Sequence, residues 1–186
     1  MPYFRMTVSF TTGAAAALRA ELGAGWDRPR AMFTLEPLRA AGKLPGPGDL
    51  VADLRLAPRV WRVEQRLLLA DPQANATMSL LLGAAPQARL ACGVEDERVQ
   101  LTGDAQAALF AEYVGREQPS ECRVLMAALS AAPDLRAGDV VQDASFSRHL
   151  FFIDERLFLW TSANEVQVRY LLDVGMKAGD WAQLRG

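Results

Sequence analysis

Few side chains in this sequence have the types and spacing that catalysis requires. Ser147 and His149 lie two positions apart and could supply a nucleophile and its base, but no third group is evident to orient the imidazole. The sequence also contains no Gly-rich phosphate-binding loop. We therefore predict no catalytic residue and no cofactor, and we interpret His149 as a solvent-exposed histidine in a turn.

Metal binding is not predicted either, because the preferred ligands are scarce. His149 is the only histidine, and Cys92 and Cys122 lie in no ligand motif. We interpret the two cysteines as buried apolar residues or free thiols rather than as a disulfide.

An acid and an arginine stand two positions apart at Glu64 and Arg66. In a regular strand this spacing places both side chains on one face of the sheet, where they are expected to form structural ion pairs. The alternative is a polar cleft between two repeated modules, lined by Glu64, Arg66 and Asp154.

The modules are suggested by an internal repeat. The segment GDLVADLRLAPRVWRVEQRLLL, residues 48–69, aligns without a gap with GDVVQDASFSRHLFFIDERLFL, residues 138–159, at an offset of 90. Residues 8–21 and 99–112 align at an offset of 91. The pattern predicts a tandem duplication, with residues 1–92 as the first module and 93–186 as the second.

Each module is predicted to contain a strand, a helix, a short helix and then three strands. In the first module the helix is expected over residues 13–22 with Thr12 as its N-cap, and the strands over 3–10, 50–56, 60–69 and 76–82. In the second module, Ser120 is expected to cap a helix over 121–131, and the last three strands to occupy 140–146, 150–160 and 166–174. Short connections favour antiparallel meanders. The predicted fold class is α+β, with helices on one face and the two modules related by a pseudo-twofold axis.

The central strand of the second module carries an unusually apolar face. Alternation places Phe152, Phe158 and Trp160 on that face together with Arg156. Exposed apolar patches commonly mark interfaces. We therefore predict that these four residues bind a partner. The alternative is that this face is buried against the other module or against a helix.

Composition excludes several functional classes. The chain has 22 acidic and 20 basic residues and a formal net charge of −2, which argues against nucleic-acid binding and against an anionic membrane surface. The longest uncharged stretch, residues 72–88, is too short and too polar for a membrane helix. Lys43 and Lys177 are the only lysines, and this preference for arginine indicates a bacterial source with GC-rich coding. The N-terminus has an equivalent segment in mid-chain, so a cytoplasmic location is expected rather than secretion.

These observations favour a non-catalytic cytoplasmic binding protein, such as an adaptor, an inhibitor or an immunity-like protein. It would use the apolar strand face to bind another protein or a second copy of itself. The alternative is a small-molecule-binding protein or an enzyme with its site in a cleft between the modules. In element order alone, the tandem modules are similar to those of glyoxalase and bleomycin-resistance proteins, but the histidine and glutamate ligands of that type are missing.

Overall fold

A computed structural model describes residues 4–23, 33–55, 59–90, 92, 98–114, 134–142 and 147–177. Within these residues the chain is mixed α+β, with eight strands and three helices. In chain order the elements are β1 (Phe4–Phe10), α1 (Thr12–Leu22), α2 (Glu36–Ala41), β2 (Leu50–Asp53), β3 (Trp61–Ala70), β4 (Ala76–Ala84), β5 (Val99–Leu101), α3 (Gly103–Glu112), β6 (Val140–Val141), β7 (His149–Ser162) and β8 (Glu165–Lys177). In this part of the chain no helix has both the length and the apolar character needed to cross a membrane.

Most predicted elements of the described residues are present, with shifted ends. The strand predicted over 50–56 ends at Asp53, and β7 extends beyond both ends of the predicted strand. The second-module helix predicted over 121–131, its cap Ser120 and Cys122 lie outside the described residues, as do residues 143–146 of the strand predicted to begin at Val140.

The chain divides into two compact units. The first comprises Met1–Asp96 and Leu157–Val168, and the second comprises Glu97–Arg156 and Arg169–Gly186. The long strands β7 and β8 therefore contribute residues to both units. The module boundary at residues 92 and 93 stays a prediction.

The described strands of the first unit follow the order β1–β4–β3–β2, continued by the end of β7 and the start of β8. β2, β3 and β4 form an antiparallel meander, as their short connections predicted. β1 joins the outer side of β4 as a parallel strand, with Phe10 opposite Leu82. The end of β7 lies parallel to β2, with Val51 opposite Phe158. The sheet of the first unit thus includes a segment that the sequence assigned to the predicted second module.

Helix α1 follows β1 directly and packs against β1 and β4. Its N-cap is Thr11, whose Oγ1 accepts a hydrogen bond from the backbone N–H of Ala14 at 3.3 Å. The prediction of Thr12 as the cap is therefore wrong by one residue. Ala14 and Leu18 lie four residues apart and are both buried, which gives the helix a narrow apolar stripe toward the sheet.

The core of the first unit combines side chains from α1, from the sheet and from the segment around α2. Its buried members are Val8, Ala14, Leu18, Phe33, Leu35, Leu38, Val51, Trp61, Val63, Met78, Leu80, Leu82, Phe158 and Trp160. Each large apolar side chain buried in this way contributes about 1.5–3 kcal/mol to folding. Phe158 and Trp160 come from β7, so the core depends on the strand that is added to β2.

A β-bulge in β3 reverses which of its residues point toward this core. Val63 is opposite Leu82 whereas Gln65 is opposite Leu81, so Glu64 has no counterpart on β4. Before the bulge, the odd-numbered residues of β3 face the core. After the bulge, the even-numbered residues of β3 lie on the same face of the sheet as the core residues of β4. Strict alternation along this strand, which the sequence predicted, is therefore wrong.

In the second unit β5 lies parallel to β8 and β6 lies antiparallel to β7. The register of β5 on β8 repeats the register of β1 on β4, because Val99 is opposite Tyr170 as Val8 is opposite Leu80. These residues correspond at the offsets of 91 and 90 found in the sequence. The pairing of β6 with β7 likewise has the register of β2 with β3, shifted by 90 residues.

The start of helix α3 matches the start of helix α1 bond for bond. Thr102 is the N-cap of α3, and its Oγ1 accepts from the backbone N–H of Ala105 at 3.2 Å. The backbone N–H of Thr102 donates to Leu172 O at 2.9 Å, and that of Thr11 donates to Leu82 O at 2.8 Å. The two helices are thus held to their neighbouring strands by the same bonds.

Candidate interaction site

The aromatic face predicted to bind a partner is mostly interior. Phe158 and Trp160 are 0% exposed in the core of the first unit, and Phe152 is half-buried. The expectation that this face is exposed is therefore wrong for Phe158 and Trp160. The alternative raised from the sequence, burial of this face, describes them correctly.

Trp160 is held by specific contacts as well as by burial. Its indole Nε1 donates to Thr34 O at 3.0 Å, and its ring packs edge-to-face on Phe33 with centroids 5.1 Å apart. A buried indole N–H needs such a partner, because leaving it unpaired costs free energy. The residue is therefore an anchor of the first unit rather than a surface for a partner.

Arg156, the charged member of the predicted surface, is fully buried in the second unit. Its Nη1 donates to Leu135 O at 2.6 Å and to Asp134 Oδ1 at 3.2 Å. Hydrogen bonds from Arg136 outweigh desolvation and, with help from Arg156, lower the pKa of Asp134 below its usual value. The equivalent residue of the first module, Arg66, donates to Pro45 O at 3.0 Å. Both arginines thus brace the turn that precedes a strand.

Those turns are built by the repeated aspartates. The backbone N–H of Gly46 donates to Asp49 Oδ2 at 2.8 Å, and the backbone N–H of Arg136 donates to Asp139 Oδ2 at 2.7 Å. In return, the backbone N–H of Asp49 donates to Gly46 O at 3.0 Å, and the backbone N–H of Asp139 donates to Arg136 O at 3.1 Å. This geometry assigns the repeated aspartates a structural role in turns.

The glycines of these turns are also equivalent. Gly48 and Gly138 have φ values of +89° and +94°, which residues with a Cβ rarely adopt. Gly48 N donates to Val63 O at 2.9 Å, and Gly138 N donates to Ile153 O at 2.7 Å. The identical Gly-Asp pairs in the sequence therefore mark the same turn made twice.

Glu64 and Arg66, two of the polar residues proposed for a cleft, lie on opposite faces of β3. The carboxylate of Glu64, at the bulge, lies over Gly83, where an added Cβ would collide with it. Arg66 is opposite Leu80 and lies on the other face of the sheet. The expectation that Glu64 and Arg66 share a face is therefore wrong, because Glu64 is itself the extra residue of the bulge and the alternation of faces restarts after it. Asp154, in β7, is half-buried.

Ser147 and His149 meet at a carboxylate that the sequence did not single out. Ser147 Oγ donates to Glu112 Oε2 at 2.6 Å, and His149 Nε2 lies 3.7 Å from the same oxygen. In this arrangement the hydroxyl hydrogen bonds to the carboxylate rather than to the imidazole, so histidine is not placed to activate serine. The ring of His149 is mostly buried, which corrects its interpretation as solvent-exposed.

Burial raises the pKa of Glu112, but hydrogen bonds from Ser147 and Arg148 and the charges of His149 and Arg148 lower it further than burial raises it. Its pKa therefore lies below the ordinary value of 4.5. In the first module Glu21 binds Arg59 at 2.8 Å, at the positions equivalent to Glu112 and His149. Both pairs connect the end of a helix to the region where a strand begins, which is a structural role.

A shallow cavity of about 370 Å³ in the first unit has one charged residue, Arg59, in its lining. Its lining is formed by Arg59, Val60, Ala84, Ala85, Pro86, Ala88, Leu90 and Cys92. Arg59 is ion-paired with Glu21 and stacks over Trp61, so its charge is already engaged. Among the described residues no three metal-ligating side chains come together.

The most prominent exposed apolar feature of the first unit is the end of β3. Leu67, Leu68 and Leu69 are 54%, 63% and 53% exposed, and we refer to them as the leucine edge. β4 pairs with β3 on one side throughout this segment. On the other side, no described strand pairs with β3 beyond the short contact with β2. The leucine edge therefore offers both apolar side chains and a strand edge.

The equivalent segment of β7, Leu157–Trp160, has the opposite environment. It is 0% exposed, and β2 lies along it as a parallel strand from Leu50 to Asp53. The sequence signal for the leucine edge was three consecutive apolar residues within a strand. Successive side chains of a strand point to opposite faces, so such a run places apolar side chains on both faces of the sheet. That signal was present, but it did not distinguish the two equivalent segments.

Comparison of the chain with protein-family models, with curated proteins and with solved structures finds no match.

Proposed function

We propose that this protein is a non-catalytic interaction protein that binds an extended polypeptide along the leucine edge of β3. The observation that carries the proposal is the exposure of Leu67–Leu69, each more than half accessible in a segment of β3 that no described strand pairs with on the side away from β4. Folded proteins normally shield such edges, because their free N–H and C=O groups pair readily with another strand. A partner that adds a strand would gain main-chain hydrogen bonds and apolar contacts together.

The binding surface in this proposal differs from the one first expected. The proposed surface is now formed by the leucines of β3 and no longer by the aromatic residues at the equivalent positions of β7. The proposed class of function is the same. An adaptor, an inhibitor or an immunity-like protein fits this mode of binding, and the cytoplasm stays the predicted location.

The proposal includes a tandem duplication as the origin of the chain. It is supported by strand registers, helix caps and Gly-Asp turns that recur 90 or 91 residues apart. A pseudo-twofold arrangement of the modules stays a prediction. Duplication explains why one segment is covered and its equivalent is open, since copies diverge in what they contact.

A photo-crosslinking experiment tests the proposed surface. p-Benzoylphenylalanine is placed at position 68 and, as a matched control, at position 110, where Phe110 is equally exposed on α3. We expect adducts with polypeptides from position 68 and few from position 110. Equal adduct yields from both positions would contradict the proposal.

A further inference from the structure

We draw no further inference here: the strongest candidate, the leucine edge at the end of β3, is the surface already proposed to bind a polypeptide, and nothing in the part of the chain that the structure describes shows what covers it.

Discussion

The leucine edge of β3 and the segment Leu157–Trp160 of β7 are equivalent in sequence and opposite in environment. Each follows a Gly-Asp turn with the same hydrogen bonds, and each lies in the second half of a long strand that pairs with the strand after that turn. One is covered by a parallel strand and the other is open. The difference teaches that the burial of an apolar strand depends on a neighbour distant in sequence as well as on its own side chains.

The largest expected difference between the two segments is in stability. Leu159→Ala removes a fully buried side chain and should lower the free energy of unfolding by about 2–5 kcal/mol. Leu69→Ala is the same change at the equivalent exposed position and should cost no more than about 0.5 kcal/mol. Chemical denaturation of both variants checks this, and equal losses would remove the distinction between the segments.

The arginines that precede the two segments should show a smaller difference. Arg156→Met removes a fully buried guanidinium, leaves the carbonyl of Leu135 without its donor and should cost about 2–3 kcal/mol. Arg66→Met at the exposed equivalent should cost about 0–1 kcal/mol. Denaturation curves in the same buffer measure both, and a larger loss for Arg66→Met would reverse the comparison.

The N-caps of helices α1 and α3 should differ by a smaller amount of stability. Thr11→Ala should cost about 1 kcal/mol, the usual value for a lost N-cap. Thr102→Ala should cost more, about 1–2 kcal/mol, because the hydroxyl of Thr102 also donates to Asp173 Oδ1 at 2.5 Å. Thermal unfolding of the two variants tests this order. A Ser replacement at either position keeps the hydroxyl and should restore most of the loss.

The smallest expected effect is the pH dependence that Glu112 contributes in the second unit. Because the folded pKa of Glu112 is below its ordinary value of 4.5, its stabilising contribution is present above that value and is lost as pH falls through the folded pKa. The stability difference between the wild type and Glu112→Gln should therefore shrink on acidification below about pH 4.5. Denaturation at several pH values measures it.

Ser147→Ala is the control for this effect. It removes the largest influence that lowers the pKa of Glu112, so the carboxyl should titrate at a higher pH in this variant. Carbon NMR of the Glu112 carboxyl reports the change directly. An unchanged pKa would show that the hydroxyl is not a principal partner of this carboxylate.

Much of the local structure was accessible from the sequence because its causes are local. The Gly-Asp pairs at residues 48–49 and 138–139 predicted turns, and the alternating apolar segments predicted strands of the right type. The helix after β1 was found within one residue of its cap. These features depend on backbone preferences and on bonds between near neighbours.

The candidate site could be only partly predicted, for two reasons that involve distant residues. The bulge at Glu64 reverses the faces of β3, and an alternating pattern alone does not reveal one extra residue. The aromatic residues Phe158 and Trp160 were candidates for an exposed surface, yet β2 and Phe33 cover them. Apolar side chains have the same transfer free energy in a core or at an interface, so their identity does not select between the two.

The sequence by itself determined the segments that align at offsets of 90 and 91, the type of most described elements and the absence of a strong overall charge. These are set by composition and by residues close together along the chain. Only the tertiary structure decided which copy of the apolar strand is buried. That choice depends on β2 pairing with a segment more than a hundred residues away, and such a contact is set by packing of the whole unit rather than by any local pattern.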